Sequence, residues 1–273
     1  MTVASMTTSA SAPPIPADRA TSLFRWNAAL ALLHGVQFLA MLFLSLAQEP
    51  MASWSITSSY LTFDTATRTL LPATRTLFEL PIGVAVASFF AMSSIAHFVV
   101  AFPARGWYER RLARRQNPAR WIEYAFSSSV MIVVIAMLTG IREVGTLIAI
   151  VGANAAMNLF GWSMEAANEG RDRPQWLHYI FGCIAGIVPW LVITVALLTG
   201  LTATDAAPIP GFVIAIYVSL FISFNVFAFN MVFQFRQIGR WRDYLHGERA
   251  YMLLSLFAKT LLAWQVWSGT LRP

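Results

Sequence analysis

The sequence predicts an all-α membrane protein, a single bundle of seven transmembrane helices. Composition is the first reason: the chain is 57% hydrophobic and 12% charged, with a mean hydropathy of +0.60. Ordinary soluble domains carry roughly 25% charged residues. The second reason is spacing. Charge-free runs occur at 26–48, 80–104, 124–141, 145–164, 174–204 and 206–235, and a seventh run, 250–271, contains only Lys259. Each can cross a hydrocarbon core of about 30 Å, which takes roughly 17–25 helical residues.

Taken in order, residues 1–21 open with MTVASMTTSASAPPIPADRA, which has neither a basic n-region nor an apolar h-region. A short disordered tail is predicted there, followed by one membrane domain over 22–273 in which the first helix is retained. The connection at about 49–75 is the longest, and WSITSSYLTF within it alternates bulky and small polar residues roughly as a short β-ribbon does. Such loops are often interaction surfaces, so dimer contact is an expectation for it. Pro118 stands where the third span should begin, in the first turn of its helix. The single cysteine, Cys183, lies in an apolar run and is read as a small buried hydrophobe. Neither an internal repeat nor a soluble domain is evident.

Arginine placement sets the expected orientation. One side collects fourteen: Arg19 and Arg25, six from Arg105 to Arg120, Arg171 and Arg173, and Arg236, Arg240, Arg242 and Arg249. The other side has four, Arg68, Arg75, Arg142 and Arg272. The N-terminus is therefore expected in the cytoplasm and the C-terminus outside. The sequence pI near 10.0 reflects this belt, which suits anionic lipid and gives no reason to expect nucleic acid.

Lys259 is the sole lysine among 273 residues. An ionisable group in mid-membrane costs about 2.5–3.5 kcal/mol on insertion scales and marks a functional site. The alternative is snorkelling to the interface. Lys259 lies about 15 Å from either end of its run at 1.5 Å per residue, farther than its stem reaches. A buried amine can act as a nucleophile and form a Schiff base with an aldehyde; once protonated, that cation needs a counter-ion.

Glu123, five residues into the third helix, is the candidate. A helical side chain leans toward its own N-terminus, which brings Lys259 toward the depth of Glu123. Ser127 shares a face with Glu123 and Ser255 with Lys259, each one turn away. The alternative for Glu123 is a solvated carboxylate at a helix start. His34 and His97, each alone read as a core histidine, fall at similar depth with Ser93 one turn from His97, which suggests a hydrated polar cavity on the cytoplasmic side. Glu165 and Glu248, at helix ends on that side, are read as solvated.

Seven helices, a lone lysine in the seventh and a carboxylate in the third resemble a rhodopsin. RWIEYAFSSSVMIVVIAMLTGI, ANAAMNLFGWSMEAANEG, PGFVIAIYVSLFISFN and LSLFAKTLLAWQVWSGTL resemble heliorhodopsin over nearly the whole chain, and the inward N-terminus fits that family. The resemblance implies all-trans retinal on Lys259, Glu123 as counter-ion of the protonated Schiff base, and Ser255 as its hydrogen-bonding neighbour. It places Tyr124, Asn154, Met157 and Phe224 near the chromophore and assigns His34, His97 and Ser93 to a cavity that accepts the released proton. It also implies a homodimer in the cell membrane with a slow photocycle, sensory or regulatory, signalling to an unknown partner without net ion transport.

Two other functions compete. A light-driven ion (proton) transporter needs a polar relay on both sides of the lysine, whereas the polar candidates crowd one side. A retinal-binding regulator of a partner enzyme is the other. The sequence offers no metal cluster, phosphate loop or nucleophile and base set for a conventional enzyme.

Overall fold

The structure, a computed structural model, describes residues 13–204 and 207–271. Among them are eight α-helices: α1 (Ala17–Leu46), α2 (Ile82–Ala101), α3 (Arg105–Ala113), α4 (Pro118–Leu138), α5 (Val144–Ala167), α6 (Leu177–Thr202), α7 (Gly211–Phe235) and α8 (Tyr244–Val266). A β-hairpin of β1 (Ser53–Asp64) and β2 (Thr69–Pro81) joins α1 to α2, and a π-helical turn at Trp267–Leu271 follows α8. Six of the helices, all but α3 and α8, are long and apolar enough to cross a membrane. The seventh span is α8, whose 23 residues reach about 34 Å; Glu248, Arg249 and Lys259 make it less apolar.

Local chemistry explains the helix starts. The Asn117 side chain accepts from the Arg120 amide at 3.1 Å and Pro118 occupies the first turn, as the sequence predicts. Glu143 caps α5 by accepting from the Thr146 amide at 2.6 Å, and Asp243 caps α8 by accepting from the Leu245 amide at 3.1 Å. That cap starts α8 six residues before the charge-free run, so Glu248 and Arg249 belong to the helix. The tail is shorter than predicted: α1 begins at Ala17, and Ala20 and Leu23 are already buried. Residues 1–12 of the predicted tail lie outside the described residues.

The helices pack in the order α1, α2, α4, α5, α6, with α8 returning beside α1 and α2 and α7 beside α8. Lipid provides little hydrophobic drive between helices, so small residues and interhelical hydrogen bonds matter. At α1 and α2, Ser94 donates to the Ala31 carbonyl at 2.7 Å; a Cβ on Gly35 would stand 3.2 Å from the Ser94 oxygen. Phe89, Phe90, Ile132, Ile135, Ile150 and Ile193 fill the centre.

The predicted ribbon is present and longer than WSITSSYLTF. Antiparallel pairing runs from Ser53 opposite Pro81 to Asp64 opposite Thr69, with a register shift at Ile56/Thr57. The shift turns the ribbon against the bundle: Ile56 is buried, the Thr57 amide donates to the Arg142 carbonyl at 2.9 Å, and the Arg142 guanidinium lies 4.4 Å from the Trp54 ring centre. Pro72 and Arg75 mask the second strand in sequence.

Cys183 corrects its reading as a buried hydrophobe. It is exposed on α6, a helix with Ile184, Leu191, Val195 and Leu198 turned outward. An apolar run shows that a residue is comfortable away from water, which lipid satisfies as well as a core.

Candidate functional site

Two cavities flank the Lys259–Glu123 pair, the larger lined by Lys259 and the smaller by Glu123. The larger, about 400 Å³, lies among α4, α5, α6, α7 and α8 and has Lys259, Ser255 and Tyr124 in its wall. The smaller, about 40 Å³, lies toward the α3 end and has Glu123, His97, Asn27, Arg120 and Glu248 in its wall. Tyr124 lines both.

Lys259 donates to Ser255 Oγ at 2.7 Å and to Glu123 Oε1 at 3.1 Å. Only 3% and 9% of the Lys259 and Glu123 side chains are exposed, so little solvent screens this pair. Ser93 Oγ donates to the same Glu123 oxygen at 2.7 Å. The Tyr124 ring centre lies 5.2 Å from the amine, and its hydroxyl donates to the Tyr251 carbonyl at 3.0 Å. Three helices thus converge: α2 supplies Ser93, α4 supplies Glu123 and Tyr124, and α8 supplies Ser255 and Lys259. Helical geometry puts Ser255 one turn before Lys259 on the same face.

His97 Nδ1 and Asn27 Oδ1 are 2.8 Å apart, and the His34 ring stacks on His97 at 5.7 Å between centroids. His34 is buried, and its nitrogens have no hydrogen-bond partner among the described residues. His97 lines the small cavity, whereas His34 and Ser93 stand behind its wall. Met157 and Phe224 line the large cavity; Asn154 does not, and instead donates to Ser128 at 2.7 Å and to Ser129 at 3.0 Å. Ser127 is buried one turn above Glu123 without a hydrogen-bond partner among the described residues.

The reading of Glu165 and Glu248 as solvated is overturned. Their side chains are 0% and 1% exposed, and both pair with Arg120, itself 5% exposed. Asn117 completes the cluster: its amide donates to Glu165 Oε2 and its side chain to Glu248 Oε2, each at 2.7 Å. The Arg120 guanidinium also lies 3.9 Å from the Tyr251 ring centre. Arg120 counts among the loop arginines by sequence, yet it stands inside the bundle. The signal was the pattern NPAR, where a capped helix turns its third residue inward, set against two carboxylates at the same end.

The large cavity fits an elongated apolar aldehyde such as retinal. Its volume falls within the roughly 300–1,000 Å³ typical of ligand pockets, and its wall is mainly aromatic and aliphatic, with Ser255 beside the one amine and Ser128, Asn158, His178 and Asn225 elsewhere in it. Two glycines give it width. A Cβ on Gly161 would come within 2.4 Å of the Trp121 ring, and one on Gly186 within 2.4 Å of Met157 Sδ. Trp190 closes one side edge-on against Tyr217, Phe221 and Phe224.

A protein-family model described as Heliorhodopsin matches residues 23–271. No curated protein matches the chain. Among solved structures, the crystal structure of a light-driven proton pump from Leptosphaeria maculans superposes with a TM-score of 0.61 at 14% identity, covering 93% of this chain and 94% of that one. That likeness shows a rhodopsin-like fold.

Proposed function

The chain belongs to the heliorhodopsin family, and from that premise we propose that it is a photoreceptor of the cell membrane, with Lys259 carrying all-trans retinal and Glu123 as counter-ion. Family and fold together support a retinal-binding, light-responsive integral membrane protein distinct from classical enzymes. The observation that carries the finer reading is the buried Lys259 amine in the wall of an aromatic cavity, 3.1 Å from Glu123 and 2.7 Å from Ser255.

Bound through the Lys259 nitrogen, retinal supplies visible absorption and a light-driven change of double-bond geometry. The chain's own residues do the rest. Glu123 and Ser255 hold the proton on the Lys259 nitrogen, and Ser93 orients Glu123. Movement of Lys259 away from Glu123 removes the anion that stabilises this proton, so light promotes its release. It leaves toward the side where acceptors stand: Glu123 and His97 share the small cavity, and His97 is held by Asn27. That cavity exceeds the volume one water needs, about 10–15 Å³. Met157, Phe224 and Trp121 give the large cavity an apolar wall.

With the N-terminus in the cytoplasm, the arginine-rich end and the small cavity face inward. The long-lived altered state is then presented to a cytoplasmic partner, and it signals only if that partner binds the two states with different affinity. A homodimer in the bilayer, with the hairpin in the contact, completes the proposal.

The similar fungal structure is of a light-driven proton pump, so transport is the competing reading. Among the described residues, the buried carboxylates and their neighbours Arg120 and His97 all lie at Lys259 or toward the α3 end. Toward the hairpin the interhelical polar pairs are amides with hydroxyls, Gln265 with Ser219 and Gln37 with Thr260, and the charged Arg142 and Glu143 stand where α5 meets the hairpin, outside the buried set. A pH electrode in a suspension of illuminated cells tests this: no sustained change is expected, and a protonophore-sensitive one overturns the receptor reading. Lys259→Ala should abolish visible absorbance on retinal addition; a retained pigment overturns the attachment site.

A further inference from the structure

Three buried charged side chains outside the retinal site stand where α4, α5 and α8 meet. Arg120 pairs with both Glu165 and Glu248, so one guanidinium faces two carboxylates and the cluster has a formal charge of −1. A buried charge persists only when hydrogen bonds and partners support it. Here all four carboxylate oxygens accept: one of each from Arg120, the others from the Asn117 amide and side chain at 2.7 Å. The Tyr244 hydroxyl adds a longer contact to Glu165 at 3.4 Å. The cage holds an excess anion inside the bundle, and one more proton would neutralise it.

Position joins this cluster to the light reaction. Glu248 and Arg120 line the same 40 Å³ cavity as Glu123 and His97. We propose that the Arg120–Glu165–Glu248 cluster is the terminal holding site for the proton that leaves Lys259, with Glu248 taking it. This rests on the retinal reading above and extends it: His97 is a relay, and the store is the carboxylate pair. In the transfer the N–H bond at Lys259 breaks with its electron pair left on nitrogen. An O–H bond forms on Glu248 after passage through the small cavity, and no charge leaves the protein. The titratable or charged groups facing the cluster are Tyr108 from α3, Glu123 from α4, Tyr244 and Tyr251 from α8, and His97 from α2 across the cavity. The tyrosines are neutral near pH 7 by their ordinary range, which leaves Glu165 and Glu248 as the uncompensated acceptors. Retention inside the bundle fits a slow cycle without transport, because the proton returns by the way it came.

Light-minus-dark infrared spectra of the full-length pigment in lipid test this. The expected result is a new C=O stretch of a protonated carboxylic acid, moved in D₂O, lost in Glu248→Gln and displaced in Glu165→Gln. A band unchanged in both variants, or lost only in Glu123→Gln, overturns the proposal. A second readout needs no retinal: in the full-length retinal-free chain a carboxylate-to-acid infrared step on acidification should disappear in Glu248→Gln. An identical titration in that variant overturns the proposal as well. Failure of the retinal reading looks different, since then no pigment forms or no light-driven blue shift of its band occurs. Normal pigment and blue shift with silent cluster carboxylates defeat this inference alone.

Discussion

Arg120→Met removes the cation from the buried cluster while keeping a flexible side chain of similar length. Glu165 and Glu248, 0% and 1% exposed, are then left facing each other with only Asn117 and Tyr244 to support them. Breaking a buried ion pair by removing one partner costs about 3–5 kcal/mol, because the remaining charge stays desolvated. The guanidinium also covers the Tyr251 and Trp121 rings at 3.9 and 4.5 Å, contacts worth about 0.5–2 kcal/mol. Together the loss is about 3.5–7 kcal/mol, or roughly 7–28 °C on the scale of 2–4 °C per kcal/mol for chains near this size. The assay is thermal unfolding of the purified protein in one detergent, followed by circular dichroism. Arg120→Met combined with Glu165→Gln and Glu248→Gln should recover most of the loss, since no charge then remains buried. A single variant within about 2 °C of the parent, or a triple variant no better than the single, refutes the reasoning from uncompensated charge.

Glu123→Gln should move the absorption band to longer wavelength, because an anion at 3.1 Å stabilises the ground-state cation by about 5 kcal/mol at an effective dielectric near 20; an unchanged spectrum transfers the counter-ion role elsewhere. Gly161→Val places a side chain where a Cβ alone would stand 2.4 Å from Trp121. Overpacking of about 1–3 kcal/mol should lower pigment yield in a retinal titration while helix content is kept, and full yield at parental affinity contradicts the cradle. Glu143 has its carboxyl held below the ordinary range, first by the Thr146 amide and then by that of Gly145. A depressed carboxyl contributes stability present above its unfolded value of about 4.3 and lost as pH falls through the folded value. The unfolding midpoint should therefore drop on acidification below about pH 4, and Glu143→Gln should shrink that drop; equal slopes count against the cap.

Much of the site was legible because helices convert spacing into direction. Ser255 four residues before Lys259, and Glu123 five residues into a helix opened by Pro118, follow from 3.6 residues per turn once the spans are known. The ribbon was half legible. β1 alternates, whereas β2 carries Pro72 and Arg75 and merges into the run taken for the second span, so only pairing identifies it. Asn154 and Ser127 show the limit on side chains: both are buried near the cavity, yet rotation about the helix axis turns neither into the wall of the large cavity.

The sequence by itself determined the membrane-spanning architecture, the solitary lysine and its partner. Lipid forces backbone hydrogen bonds inside each segment and penalises any unexplained charge, so such features stand out without neighbours. Only the tertiary structure decided that Glu165, Glu248 and Arg120 are buried together and that Cys183 is exposed and borders the large cavity. It also decided that glycines 161 and 186 open space beside Trp121 and Met157. Charge at a helix end reads the same in sequence whether it meets water or an opposite charge from another helix, and burial is settled by which helices stand alongside.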